Sequence, residues 1–346
     1  MLIALGFLVG LAAVVAGAEL LVRGASRAAA ALGISPLVIG LTVVAYGTSA
    51  PELAVSLSAS ASGRPDLAVA NVVGSNVFNV LAIVGLCAVV APVAARARVV
   101  RREIPVMVVV TLAFVALAAD GAVTRLDGVL LLVGMVVLAW FTLRSERTEA
   151  PAASSSPAPT NLALDAALVL AGLVLLVAGA RWLVGAATAT AAALGVSELV
   201  IGLTVVAAGT SVPELATSLV AVLRGQRDIA IGNIVGSNLF NVLGILGISA
   251  LAAPGGLRVV EQVLALDAWV MLGAAAILLP MAITGAAVVR WEGVVLLVGY
   301  VAYTAVVVAV ATGAIAVPAA WTVTLAVALP VLLVAGGAWR QQQAAR

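Results

Sequence analysis

The chain has 346 residues, of which 64% are hydrophobic and 9% are charged, and its mean hydropathy is +1.27. Soluble proteins carry about 25% charged residues, so this composition excludes a soluble enzyme and predicts an all-α polytopic membrane protein. A net charge of +2, no histidine and a single cysteine exclude a nucleic-acid partner and a Cys/His metal site within one chain.

Ten hydrophobic segments, five in each half of the chain, are predicted to cross the bilayer as helices. They run over 2–22, 36–61, 68–91, 104–119 and 126–143, and then over 163–184, 197–223, 230–252, 263–284 and 292–312. Residues 144–162 between the halves are rich in proline, serine and alanine and predict a disordered linker. A further apolar stretch, 318–338, predicts an eleventh span within a C-terminal part that covers 313–346.

The two halves are copies of one unit. SPLVIGLTVVAYGTSAPEL (35–53) recurs as SELVIGLTVVAAGTSVPEL (197–215), and NVVGSNVFNVL (from Asn71) recurs as NIVGSNLFNVL (from Asn233), with the same separation between the copies of each motif. The repeats therefore cover 1–143 and 163–312. Five crossings is an odd number, so the second copy enters the membrane from the opposite side and the repeats are inverted.

Arginine placement predicts the orientation of the chain. Every basic residue is arginine, and most arginines lie in the loops that follow the odd-numbered segments. The opposite loops carry Arg64, Arg125 and Arg258. The positive-inside rule then predicts a cell-membrane protein with its N-terminus outside and its central linker in the cytoplasm.

Two acidic residues lie midway along predicted spans. Glu52 and Glu214 occupy the second segment of each copy, where an ionisable group costs at least a few kcal/mol and marks a functional site by default. The other acids fall in loops or near span ends, among them Glu19 and Asp165, which are expected at the interface. The first and sixth spans are expected to lack buried charge.

Each of these glutamates ends a Gly-Thr-Ser-x-Pro-Glu motif. Glycine and proline are expected to break the span into two half-helices, with Thr48 or Ser49 capping the second half. The break should free carbonyl groups near Ala45 and, in the second copy, near Ala207. Carbonyls, hydroxyls and a carboxylate at one point are oxygen ligands suited to sodium or calcium.

The third span of each copy adds a polar face. Ser75 and Asn79 are four residues apart and share one side of a helix, as do Ser237 and Asn241. Small polar residues in a membrane helix also serve helix packing. Because this face lies beside a buried glutamate in both copies, ion coordination is the favoured interpretation.

At these motifs the chain resembles the cation/calcium exchanger superfamily, and most closely its prokaryotic sodium/calcium exchanger branch. The resemblance covers almost the whole chain and implies ten core helices in two inverted repeats, with ions bound midway between helices two, three, seven and eight. It implies one ligand set per copy: Glu52, Thr48, Ser49, Ser75, Asn79 and the Ala45 carbonyl, and then Glu214, Thr210, Ser211, Ser237, Asn241 and the Ala207 carbonyl. The glutamates and threonines of these sets are the implied metal ligands. Some members carry aspartate where this chain has Asn241, a difference that argues against potassium dependence.

The leading functional hypothesis is antiport of calcium against sodium by alternating access, in which the first and sixth spans slide over the site. The expected partners are Ca²⁺, Na⁺ and the lipid bilayer, with no cofactor and no obligatory protein partner. A calcium/proton antiporter using the same glutamates is the first alternative, because a desolvated carboxylate can titrate near neutrality. A passive cation channel is the second, and one pair of buried sites without a repeated pore ring argues against it.

Overall fold

A computed structural model of the chain describes residues 2–94, 97–149, 161–285 and 287–317. Almost all of this part is helical. By length and composition, eight helices are long and apolar enough to cross a membrane, or nine if a pair of helices bent by 46° counts as one span. The chain is thus an all-α polytopic membrane protein. The predicted span 318–338 and most of the predicted linker lie outside the described residues.

The first half of the chain forms six helices. They are α1 (Leu2–Leu32), α2 (Pro36–Thr48), α3 (Ala50–Ala61), α4 (Pro65–Val90), α5 (Val99–Asp120) and α6 (Arg125–Glu149). Helices α2 and α3 are the bent pair and together fill the predicted segment 36–61.

The second half repeats this order. Its helices are α7 (Leu162–Ala193), α8 (198–209), α9 (Val212–Leu223), α10 (Arg227–Ala252), α11 (263–285) and α12 (Arg290–Ala311). Helices α8 and α9 fill the predicted segment 197–223, so all ten predicted segments are helical.

The first helix of each half is longer than its predicted segment. Helix α1 has 31 residues and α7 has 32, which is about 46–48 Å at 1.5 Å per residue. A bilayer core is about 30 Å thick, so helices of this length tilt or project beyond it. Both helices continue past the end that hydrophobicity alone predicted, and in α1 the added part carries Arg23 and Arg27. Helix α6 likewise continues to Glu149, past the predicted end of its span.

Two compact units divide the described chain, and each takes helices from both halves. Of the described residues, 2–51, 134–149 and 161–240 form the first unit. Its main contact joins α1 to α7 through a glycine seam, which consists of Gly10, Gly17 and Gly24 on α1 and Gly172 and Gly179 on α7. A Cβ atom at Gly172 would lie 2.6 Å from the backbone nitrogen of Leu21, and one at Gly17 would lie 2.7 Å from that of Leu176. Only glycine permits two helix backbones to approach this closely.

Residues 52–133 and 241–317 of the described chain form the second unit. Helix α4 packs on α12 at a similar glycine contact, where a Cβ atom at Gly293 would lie 2.6 Å from the Gly85 carbonyl oxygen. Short antiparallel pairs connect loops of the two halves. Strand β1 (Val93–Ala94) pairs with β4 (Ala287–Val288), and β2 (Ala122–Val123) pairs with β3 (Leu257–Arg258).

Candidate ion-binding site

The predicted helix breaks are present in both copies. Helix α2 ends at Thr48 and α3 begins at Ala50, so that Ser49 lies at the break and Pro51 in the first turn of the new helix. In the second copy α9 begins at Val212 after Ser211. Proline is favourable in the first turn of a helix, where its missing N–H group costs nothing. Each glutamate therefore lies in the first turn of a helix that starts inside the apolar segment.

A wide π-helical turn precedes each break. These turns cover Gly40–Val44 and Gly202–Val206. In the first, the Thr42 hydroxyl donates to the Val38 carbonyl at 2.7 Å, and in the second Thr204 donates to Val200 at 2.6 Å. Such turns are uncommon and are frequent at functional sites. The duplicated LTVV sequence thus forms the same local structure twice.

A polar cluster surrounds Glu214 within the first unit. Glu214 is 1% exposed, and its Oε1 atom accepts a 2.8 Å hydrogen bond from the buried Ser49 hydroxyl. The neighbouring Thr48 hydroxyl donates to Asn233 Oδ1 at 3.1 Å. Residues of the first-copy break thereby contact the second-copy carboxylate and its neighbour. The Ser49 hydroxyl thus donates to Glu214, and the counterpart residue Ser211 makes no side-chain cap to its own helix.

Asn233 holds the backbone at Glu214. Its amide donates to the Glu214 carbonyl oxygen at 3.3 Å and to the Ser218 hydroxyl at 2.9 Å. All three residues are buried. These bonds fix the first turn of α9 against α10 and so determine where the carboxylate lies.

The Ala45 carbonyl is hydrogen-bonded, which corrects the expectation that the break frees it. It accepts from the Ser49 backbone N–H at 3.0 Å, from the Thr48 hydroxyl at 3.3 Å and from the Ser237 hydroxyl at 3.4 Å. Two of these donors are hydroxyls, which can rotate and can accept as well as donate. The predicted residues Ala45, Thr48 and Ser237 are therefore brought together.

An equivalent cluster surrounds Glu52 within the second unit. Glu52 is 0% exposed. Asn71 donates to the Glu52 carbonyl oxygen at 3.1 Å and to the Ser56 hydroxyl at 2.9 Å. These are the same two bonds that Asn233 makes, at the corresponding positions of the first copy. In both copies, therefore, an asparagine makes the same two hydrogen bonds to the helix turn that carries the glutamate.

The remaining predicted ligands of the second unit are buried. Ser75 and Asn79 are each 1% exposed, and Asn241 is 0% exposed. The Asn241 amide donates to Asn76 Oδ1 at 2.9 Å, which joins α10 to α4. Asn79 and Asn241 both lie in π-helical turns, Phe78–Val84 and Asn241–Ile245. The structure thus holds these amide and hydroxyl oxygens away from bulk solvent.

Thr210 and Ala207 differ from their first-copy counterparts. Thr48 and Ala45 are buried, whereas Thr210 is half-buried and Ala207 is exposed. The Thr210 hydroxyl donates to the Ala207 carbonyl at 3.4 Å. The two copies of the break are therefore not equivalent in this structure, although their sequences nearly are.

Three contributors to these clusters were missed by the sequence analysis. Ser56 and Ser218 follow each glutamate by four residues, and Asn76 pairs with Asn241. The recurrence of serine at the same spacing in both copies was the available signal, since helix positions four apart share a face.

Buried acidic residues are more numerous than predicted. Besides the two glutamates, the residues Glu103, Asp165, Asp267 and Glu292 are 7% exposed or less. Asp165 is at the start of α7 as expected, but it is fully buried and pairs with Arg27 Nε at 2.7 Å. The expectation that the sixth span lacks buried charge is therefore wrong. The single cysteine, Cys87, is buried as well.

A family model described as sodium/calcium exchanger protein matches residues 2–144 and 164–309 of this chain. CaxA of Alkalimonas amylolytica is 40% identical over 309 residues, covering 86% of this chain and 95% of that protein. The sodium/calcium exchanger MaX1 of Methanosarcina acetivorans is 32% identical over 346 residues, covering 86% of this chain and 95% of that protein.

A solved structure has the same fold. The sodium-calcium exchanger NCX_Mj, soaked with 2.5 mM Na⁺ and 0.1 mM Ca²⁺, superposes with a TM-score of 0.77 at 30% identity and covers 88% of this chain and 98% of that one. The sequence match, the shared fold and the membrane helices agree with one another. The chain is an antiporter of the sodium/calcium exchanger family, a membrane transporter and not an enzyme.

Proposed function

We propose that this antiporter exchanges calcium for sodium across the cell membrane. The observation that carries the proposal is the membrane-buried Glu214 carboxylate, held by Ser49 at 2.8 Å among further hydroxyl and amide groups. A buried carboxylate with hydroxyl and carbonyl oxygens matches the ligand preference of Ca²⁺ and Na⁺. The names of MaX1 and NCX_Mj as sodium/calcium exchangers support the same pair of ions.

Both polar clusters are proposed to take part in ion binding. The ligand set is Glu52, Thr48, Ser49, Ser75, Asn79 and the Ala45 carbonyl with their second-copy counterparts Glu214, Thr210, Ser211, Ser237, Asn241 and the Ala207 carbonyl. The two carboxylates carry a charge of −2, which balances one calcium ion. Calcium and sodium compete for the same oxygens, so one binds well only after the other has left. This competition couples the two fluxes.

Alternating access is proposed to come from helices α1 and α7 moving together. The glycine seam places their backbones in direct contact, and buried Asp165 of α7 pairs with Arg27 of α1. Helices joined in this way move as one body rather than separately. Inverted repeats supply two arrangements of similar energy for such a body, one open to each side of the membrane.

The proposed orientation places the N-terminus outside and the central linker in the cytoplasm, because arginines concentrate in the loops after odd-numbered spans. Cysteine labelling with an impermeant reagent tests it: a cysteine introduced at exposed Ser62 should react from outside intact cells, after Cys87 has been replaced by alanine. If the cysteine reacted only after the cells were opened, the protein would have the opposite orientation.

Purified protein in vesicles tests the coupling ion. Radioactive calcium uptake is measured with an outward sodium gradient, with a pH gradient, and with neither. We expect uptake to follow the sodium gradient and to be insensitive to an imposed pH gradient. Uptake driven by pH alone would instead establish the calcium/proton antiporter, and uptake with no gradient beyond calcium itself would establish a channel. Glu214→Gln is the matched inactive control.

A further inference from the structure

A further buried carboxylate, Asp267, lies in a membrane helix outside both ion-binding clusters. It ends the π-helical turn Val263–Asp267 at the start of α11 and is 7% exposed. Tyr303 of α12 donates its hydroxyl to Asp267 Oδ1 at 3.0 Å, and Gln262 donates its amide to Oδ2 at 3.3 Å. In the described part of the chain its recorded partners are these two neutral groups.

The equivalent acid in the first copy of the repeat has charged partners instead. Glu103 ends the equivalent π-helical turn, Val99–Glu103, and is 1% exposed. Arg98 lies 3.4 Å from its carboxylate and Arg102 lies 3.7 Å from it. Both acids therefore occupy one structural position in the duplicated fold.

Alignment of the two π-helical turns places Gln262 at the position of Arg98, immediately before each turn begins. Each of the two reaches the carboxylate at the end of its turn. The contact is thus retained, but a cation has become a neutral amide. Leu266 replaces Arg102 in the same way, so the second copy has lost both guanidinium partners.

Neutral partners allow a carboxyl group to exist in two protonation states. A guanidinium group is positively charged and only donates hydrogen bonds, so it favours the ionised acid, whereas a tyrosine hydroxyl and a glutamine amide are neutral and each contain a donor and an acceptor. An ionised carboxylate without a cation is also costly to bury, and it responds by taking up a proton.

Within the described part of the chain, the charged groups near Asp267 do not supply a cation for it. Helix α4, which packs against this turn, carries Asp66 in its first turn. Helix α12 contributes the phenols of Tyr300 and Tyr303 and has Arg290 and Glu292 in its first turn, about 16 Å or more along the helix from Tyr303. Glu261, six residues before Asp267, is exposed.

We propose that Asp267 is a protonation site of this transporter, separate from the ion-binding clusters, whose carboxyl group binds and releases a proton while Tyr303 and Gln262 hold it. Aromatic side chains lie between Asp267 and the segment that carries Asn79. Tyr300 lies one helical turn from Tyr303, and its ring packs edge-on against Phe78 at 5.2 Å, next to Asn79.

Infrared difference spectroscopy of the full chain in lipid vesicles tests the proposal without relying on transport. A protonated carboxyl group has a C=O stretch that an ionised one lacks. The wild type is titrated from alkaline to acidic pH, and we expect Asp267→Asn to remove one such band. Glu103→Gln, which alters the ion-paired counterpart, should leave that band in place. A band unchanged in Asp267→Asn would overturn the proposal.

A second variant restores the first-copy arrangement. Gln262→Arg places a guanidinium group where Arg98 lies in the first copy, and we expect it to shift the titration of the Asp267 band by at least one pH unit toward acid. This variant keeps the Asp267 carboxyl group, so it remains informative if Asp267→Asn fails to fold. An unshifted titration in Gln262→Arg would contradict the assignment of the band to this site.

Discussion

Ser49 donates a 2.8 Å hydrogen bond to the carboxylate of Glu214, so the helix break of one sequence copy holds the acidic group of the other. Neither residue is accessible to solvent beyond 1%. The contact shows that the two copies are interdependent: the polar groups of one break position the acid that the other copy contributes.

Replacing Ser49 by alanine tests this dependence. A hydrogen bond to a charged group contributes about 1.5–3 kcal/mol, so Ser49→Ala should raise the KM for calcium about tenfold or more. Calcium uptake into sodium-loaded vesicles measures it. Ser62→Ala alters an exposed serine near the end of the same broken span and should leave the KM unchanged. Equal KM values for the two variants would show that Ser49 does not contribute to calcium binding.

Each buried glutamate should be indispensable for exchange. Glu52→Gln and Glu214→Gln preserve side-chain size but remove the charge that balances calcium, so both should abolish uptake. Size-exclusion profiles in detergent should stay unchanged, because burying a neutral amide costs less than burying a carboxylate. Glu261→Gln, at an exposed position, is the matched control and should transport normally. Transport by either buried variant at the control rate would disprove its assignment.

Substitutions of Asn71 and Asn233 should differ in their effect on stability. Asn233 is fully buried and also receives a hydrogen bond from Thr48, whereas Asn71 is half-buried. Leaving buried polar partners unsatisfied costs about 1–3 kcal/mol. We therefore expect Asn233→Ala to lower the melting temperature more than Asn71→Ala does. Thermal unfolding in detergent measures both, and the reverse order would contradict the bonding described for Asn233.

The glycine seam predicts a sharp difference between two glycines of α7. A methyl group at Gly172 would lie 2.6 Å from the Leu21 backbone nitrogen, whereas nothing lies within 4 Å of one at Gly185. Overpacking costs about 1–3 kcal/mol, so Gly172→Ala should lower the melting temperature and the exchange rate. Gly185→Ala should change neither. If Gly172→Ala were equally harmless, α1 and α7 would not be in backbone contact.

Much of this protein was predictable from its sequence for definite physical reasons. A chain this apolar is soluble only in lipid, where helices satisfy their own backbone groups, so all ten predicted segments are helical. Proline and glycine beside Glu52 and Glu214 predicted the two breaks, because both residues disrupt a helix through local backbone effects. The duplication then identified the same candidate residues twice.

Partnerships between distant residues required the tertiary structure. The sequence predicted that the charged residues, 9% of the chain, lie in loops or near span ends, apart from two buried glutamates. In the structure Asp165, Glu103 and Asp267 are also buried, each with different partners. Hydropathy describes the preference of each side chain for lipid or water, and it carries no information about which residue packs against that side chain. The bond between Ser49 and Glu214, the contact of α1 with α7 and the neutral surroundings of Asp267 depend on packing between segments far apart in the chain, and packing alone determined them.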